Sequence, residues 1–214
     1  MDIFDRMMLD NEAWAREKVE TNPAFFHRMS QSQTPEVLWV GCSDSRVPAE
    51  IVVNAEPGEM FVHRNIANQF IATDFNSLSV LQYAVDVLKV GHVVVCGHYS
   101  CGGIRAALEA QSPELLMVNK WLRHIKDLYM AHGEIFEGTG LGDPCYHKLV
   151  ELNVRQQILN IAHTSIIQAA WARTQRPILH GCVYGIDDGR IHELVRLEPG
   201  FEIHPIYRYN IGSA

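Results

Sequence analysis

The sequence predicts an α/β fold: a mainly parallel central sheet with an antiparallel edge strand, flanking helices, and an amino-terminal helical segment that covers the core or docks on another subunit. Three observations carry this. Short apolar runs alternate with helix-patterned stretches along the chain. The last two runs, Ile178 to Ile186 and Ile191 to Leu197, flank Asp187-Asp188-Gly189 and read as a hairpin. Ahead of the first strand, residues 1–31 carry Phe4, Met7, Met8, Trp14, Phe25 and Phe26 in a helical pattern broken at Pro23, an apolar face that needs a cover.

Ser32-Gln33-Thr34-Pro35 is a loop leading to the first strand, Val37 to Gly41. Pro57-Gly58 marks a turn before a short strand, Met60-Phe61-Val62, which leaves into His63-Arg64-Asn65. Ser77 is positioned to cap a helix whose Leu78, Leu81, Val85 and Leu88 recur at steps of three and four, and Gly91 ends it. The strand at 92–97 follows, and Cys101-Gly102-Gly103 opens a helix running to about Ala110. Ser112-Pro113-Glu114 starts another helix, with Leu115, Val118, Leu122, Ile125 and Tyr129 on one face. A glycine-rich loop at 133–144 precedes a long helical region to about Arg173, broken and recapped at Thr164-Ser165. The tail after Pro199 has no clear pattern.

With 214 residues, 47% of them hydrophobic and 20% charged, the chain suits one domain, 1–214, divided into the arm 1–31 and an α/β core 32–214. A net charge of −7 with no basic patch argues against nucleic acid and anionic membrane as partners. No run approaches the roughly 20 apolar residues that cross a bilayer. The first residues lack the pattern of a signal peptide, and five unevenly spaced cysteines suit a reducing cytoplasm better than a disulfide framework.

Chemistry concentrates at two strand exits. The first offers Cys42-Ser43-Asp44-Ser45-Arg46-Val47-Pro48, a thiol, a carboxylate and a guanidinium within five residues. The second is Gly97-His98-Tyr99-Ser100-Cys101-Gly102-Gly103. Sites in such sheets form at the carboxyl ends of strands, so the two exits can share one rim. Cys42, His98 and Cys101 form a candidate zinc triad, since two thiolates and an imidazole leave a fourth tetrahedral position for water or Asp44. A helix amino terminus favours the thiolate of Cys101. Cys96, Cys145 and Cys182 read instead as small buried hydrophobes. A phosphate-binding thiol loop needs about five residues between cysteine and arginine, and here three intervene.

Those two motifs, with Phe61-Val62-His63-Arg64-Asn65-Ile66-Ala67-Asn68, make the chain resemble the β-class carbonic anhydrases from about Trp14 to Gly189. The resemblance implies that Cys42, His98 and Cys101 bind Zn2+, and that Asp44 and Arg46 form a dyad. With Arg46 holding Asp44, the fourth zinc position is open; in some bacterial and algal members Asp44 binds zinc and closes it. It further implies that Gln33 hydrogen-bonds bicarbonate across a subunit interface and that Phe61 and Tyr83 line the cleft. Trp39, Arg64 and Tyr184 match a second, regulatory bicarbonate pocket, which points to the bicarbonate-regulated subtype found in bacteria. The partners implied are carbon dioxide and bicarbonate and further copies of the chain, a dimer or tetramer joined through the arm.

The activity implied is reversible hydration of carbon dioxide to bicarbonate and a proton, by attack of zinc hydroxide. Two thiolates make the ion a weaker Lewis acid, so the rate is expected to rise through mildly alkaline pH. Relatives that hydrolyse carbon disulfide or carbonyl sulfide share these motifs, and a bicarbonate sensor with zinc held shut is a third reading. No histidine stands out as a proton shuttle.

Overall fold

The computed structural model describes residues 1–211, and the chain forms two compact units, Met1–Thr34 and one from Pro35 onward. The first holds α1 (Ile3–Thr21) and α2 (Phe25–Gln31). Asp2 and Asp5 cap the start of α1 reciprocally, each side chain accepting the other's backbone N–H. Asn22 to Ala24 separate the two helices, where Trp14, Phe25 and Phe26 meet edge to face at centroid distances of 5.1–6.3 Å. Neither helix has a buried residue, and Phe4, Met7, Met8 and Leu9 are exposed.

The second unit is built on a five-stranded sheet in the order β2-β1-β3-β4-β5. β1 (Val37–Cys42), β2 (Met60–Asn65), β3 (His92–His98) and β4 (Ile178–Tyr184) run parallel, and β5 (Ile191–Leu197) is antiparallel to β4. The expected edge hairpin is therefore present. From β1 the chain steps first to β2 and then back across to β3, so the order reverses at the carboxyl ends of β1 and β3, the place where sites form in such sheets.

Five helices of this unit, α3 (Ala49–Val52), α4 (Phe75–Gln82), α5 (Gly102–Leu108), α6 (Leu116–Trp121) and α7 (Arg123–Ala131), precede α8 (Asp143–Ala162) and α9 (Ser165–Thr174). One sheet face contributes Leu38, Val40, Val93, Val95 and Leu179 to a core shared with Leu81, Ile158, Ile161, Ile167 and Trp171. Each fully buried leucine or isoleucine there stabilises the fold by ~1.5–3 kcal/mol. α8 packs across β3, β4 and β5, and glycines let it approach. A Cβ on Gly97 would stand 2.7 Å from Val154 Cγ2, and one on Gly181 would stand 3.0 Å from Ile158 Cγ1. On the opposite face Trp39, Cys96 and Cys182 form a smaller cluster with Val62, Val94 and Tyr184.

Several boundaries differ from the sequence expectation. β2 runs on to Asn65, so Arg64 lies within the strand, opposite Gly41. Asp74, not Ser77, caps α4: its carboxylate accepts from the backbone N–H of Asn76 and Ser77. A π turn, Tyr83–Val87, prolongs α4, and the reversal comes at left-handed Lys89 (φ 60°) rather than Gly91. The helix expected from Ser112 is a 3-10 turn followed by α6 and α7, which part at Leu122, and Leu115 is exposed. The 133–144 loop holds a 3-10 turn, Gly133–Phe136, and the tail another, Pro205–Tyr207. Thr164 recaps the chain as expected, accepting from Ile167 N–H at the start of α9. Among the described residues no helix is long and apolar enough to cross a membrane.

Candidate metal centre

The two strand exits meet. Cys42 ends β1, His98 ends β3, and Cys101 stands at the start of α5. Left-handed Ser100 (φ 57°) turns the chain so that Cys101 comes back beside His98. All three side chains are buried, and their ligand atoms lie within 4.8 Å of one another. The Cys42 and Cys101 sulfurs are 3.9 Å apart. With zinc–sulfur bonds of about 2.3 Å, two sulfurs at tetrahedral corners stand roughly 3.8 Å apart.

Protonation supports the same reading. His98 Nδ1 lies 2.9 Å from the Tyr99 carbonyl, which can only accept, so Nδ1 carries the hydrogen and Nε2 presents a lone pair. That Nε2 is buried with no hydrogen-bond partner. A ring nitrogen lone pair buried away from water beside two sulfurs is a ready ligand for a cation. The sulfurs behave as a pair: the hydrogen bond from Cys101 lowers the Cys42 thiol, and the same contact raises that of Cys101. A metal cation bound between them would displace thiol protons. Backbone N–H groups of Asp44 and Ala67 also stabilise charge on the Cys42 sulfur. Cys96 and Cys182 are pushed up by burial, Cys182 to about 11, and stay inert thiols. The residues present therefore fit a metal ion.

Arg46 grips Asp44 with two bonds, Nε to Oδ1 at 3.0 Å and Nη2 to Oδ2 at 2.8 Å, and Nη2 also reaches the Ser100 carbonyl at 3.1 Å. The Arg46 hydrogen bond holds the Asp44 carboxyl down at about 2. Asp44 Oδ2 is nevertheless 3.7 Å from His98 Nε2, at the edge of the triad. Arg64 donates to the Cys42 carbonyl at 2.8 Å and the Asp44 carbonyl at 2.6 Å, tying the loop to β2. Sequence reading assigned Arg64 only to an anion pocket and missed this hook, because its partners are backbone atoms.

Strand register puts Trp39, Arg64 and Tyr184 on one sheet face, Trp39 and Tyr184 in the same apolar cluster. Gly41 leaves room for the indole: a Cβ there would stand 2.6 Å from Trp39 Nε1. Phe61 and Tyr83 meet on the other face with centroids 5.8 Å apart. Gln33 belongs to the Met1–Thr34 unit and is exposed.

Comparison with known proteins agrees with this geometry. A family model described as carbonic anhydrase matches residues 37–191. A carbonic anhydrase of Emericella nidulans is 41% identical over 212 residues, covering 98% of this chain and 92% of that protein. One from Pseudomonas aeruginosa is 36% identical, covering 90% and 86%. Among solved structures, a tetrameric β-carbonic anhydrase from the filamentous ascomycete Sordaria macrospora superposes with a TM-score of 0.86 at 37% identity, covering 91% of this chain and 98% of that one. A Coccomyxa β-carbonic anhydrase in complex with acetazolamide gives 0.85 at 36% identity, covering 92% and 89%. These sources are not one lineage, and a bacterial origin does not follow from them. The chain belongs to the β-class carbonic anhydrases, enzymes that hydrate carbon dioxide reversibly.

Proposed function

We propose that Cys42, His98 and Cys101 hold a zinc ion and that Asp44 and Arg46 govern the position beside it. The observation that carries this is the buried, unpartnered Nε2 of His98 facing two sulfurs 3.9 Å apart. Bound there, zinc supplies the Lewis acidity that makes water a nucleophile near neutral pH. The chain's own residues do the rest. Asp44, ionised at every working pH while Arg46 holds it, accepts a hydrogen bond from the attacking water and turns a lone pair toward the carbon. The water oxygen bonds to carbon, one carbon–oxygen double bond becomes the bicarbonate oxyanion, and the proton leaves to solvent. Phe61 and Tyr83 give carbon dioxide an apolar wall, and Gln33 donates its amide to the bicarbonate product of a neighbouring subunit.

A regulated site is the finer reading. Asp44 Oδ2 is 3.7 Å from His98 Nε2, so a modest swing away from Arg46 would let its carboxylate join Cys42, His98 and Cys101 in holding a metal ion. Bicarbonate among Trp39, Arg64 and Tyr184 would draw on the arginine that now holds the Cys42–Asp44 backbone. A crystal grown below pH 7.5 is expected to show Asp44 on the metal. Asp44 still on Arg46 there would remove this reading.

The enzyme works as a homo-oligomer, a dimer or tetramer in which the apolar arm packs on a partner core. Five buried, unpaired cysteines suit a reducing compartment such as the cytoplasm. Metal analysis with Cys101→Ser tests the centre: about one zinc per chain in the wild type, little in the variant. Zinc and bicarbonate binding without turnover even at pH 9 would favour a sensor instead.

A further inference from the structure

Between β2 and α4 the chain makes a buried turn whose backbone is unusual. Ala67 and Asn68 are consecutive, both left-handed (φ 63° and 45°), and both almost fully buried. Neither is glycine, and left-handed alanine is strained. Such strain persists only where surrounding groups over-determine it, and it clusters at functional sites.

The over-determination is visible. α8 presents three carboxamides at i, i+4 and i+7: Asn153, Gln157 and Asn160. Asn153 Nδ2 donates to the Ala67 carbonyl at 3.0 Å. Gln157 Oε1 accepts the Phe70 N–H at 2.9 Å, and Asn160 Nδ2 donates to the Phe70 carbonyl at 3.0 Å. The three are also linked to one another, Gln157 Nε2 to Asn153 Oδ1 at 2.8 Å and Asn160 Nδ2 to Gln157 Oε1 at 3.0 Å. Asn153 and Gln157 are buried, so this is no solvated helix face. Asn65 closes the turn from the other side, its side chain bonding both the N–H and the carbonyl of Gln69 at 2.7 Å.

The turn is also the wall between the two cysteine loops. Ala67 shares one buried cluster with Cys42, Cys101 and Ile104. The Cys101 loop sits directly on it: a Cβ on Gly103 would stand 3.2 Å from Ala67 Cβ and 2.9 Å from Ile66 Cγ2. The Cys42 loop is tied to its start, Ser43 N–H donating to the Asn65 carbonyl at 2.9 Å. A displaced turn would therefore move both sulfurs.

We infer that Asn153, Gln157 and Asn160 are positioning residues of the metal centre: their ladder fixes the Ala67–Asn68 turn and so sets the separation and orientation of Cys42 and Cys101. The inference rests on reading Cys42, His98 and Cys101 as zinc ligands. Groups that orient metal ligands typically cost 10–100-fold in metal affinity when removed, and this ladder acts one step further out. Asn153→Leu is expected to weaken zinc binding about tenfold.

The test is chelator competition for zinc on the holoenzyme, together with the sulfur-to-metal charge-transfer band of cobalt-substituted protein. The control is Ile161→Val or Ile161→Ala, on the same helix but in the other core, chosen to match the loss of melting temperature. Weaker zinc binding and a shifted cobalt band in Asn153→Leu, with the control unchanged in both, supports the inference. Equal zinc loss in both variants, or none in either, overturns it and leaves the ladder a purely structural device. If Asn153→Leu does not fold, half-buried Asn160→Ala against the same control decides on the same terms. A wild type that takes up no zinc would instead sink the metal reading, and this inference with it.

Discussion

At the scale of single residues, the chemistry turns on which partner Asp44 keeps. Arg46 holds its carboxyl at about 2, below the ordinary value of 3.8. A depressed carboxylate stabilises the fold fully above its unfolded pKa and loses that contribution as pH falls through the folded one. The window is therefore roughly pH 4 down to 2, and Asp44 does not titrate between pH 6.5 and 9. A rise in rate across that alkaline range must come from the nucleophile, not from Asp44. Asp44→Asn is expected to lower the hydration rate by about 10–100-fold, as for groups that orient a metal centre, with zinc retained. Stopped-flow hydration beside metal analysis checks this; an unaltered rate would remove Asp44 from the reaction. Arg46→Ala is expected to lose activity most below pH 8, where a freed Asp44 competes best for the cation. A pH-independent loss would mean that Arg46 acts elsewhere.

At the scale of elements, the sheet sets the site and α8 sets the sheet's tolerance. Gly181 sits under α8, and a Cβ there would stand 2.6 Å from Val195 Cγ1. Gly181→Ala should destabilise by ~1–3 kcal/mol through overpacking, read as a lower denaturation midpoint with unchanged slope. Thr164→Ala removes the cap of α9 and should cost about 1 kcal/mol. The metal triad was legible in the sequence because strand exits put reactive side chains among glycines and serines, where packing has no use for them. Helix ends were less so: Asp74 and Ser77 are both good caps three residues apart, and only the backbone geometry chooses Asp74. Leu122 falls mid-pattern in the sequence because apolar spacing runs on through a break that no proline or glycine marks. The Asn153–Gln157–Asn160 ladder stayed hidden because carboxamides at helical spacing look like a solvated face until the turn they bond is seen.

At the scale of the whole molecule, residues 1–31 carry apolar side chains on helices with no buried residue. A chain lacking residues 1–31 is expected to sediment as a smaller species than the full chain, and an unchanged assembly would free the arm from that role. Solved relatives include tetramers, so the full chain is expected to exceed a monomer. Metal and chemistry are tested together by the zinc content and carbon dioxide hydration of the purified protein, taken from pH 6.5 to 9. About one zinc per chain and a rate rising through that range is the predicted result. A fully zinc-loaded protein with no turnover at pH 9, or equal turnover after the metal is stripped, would contradict it.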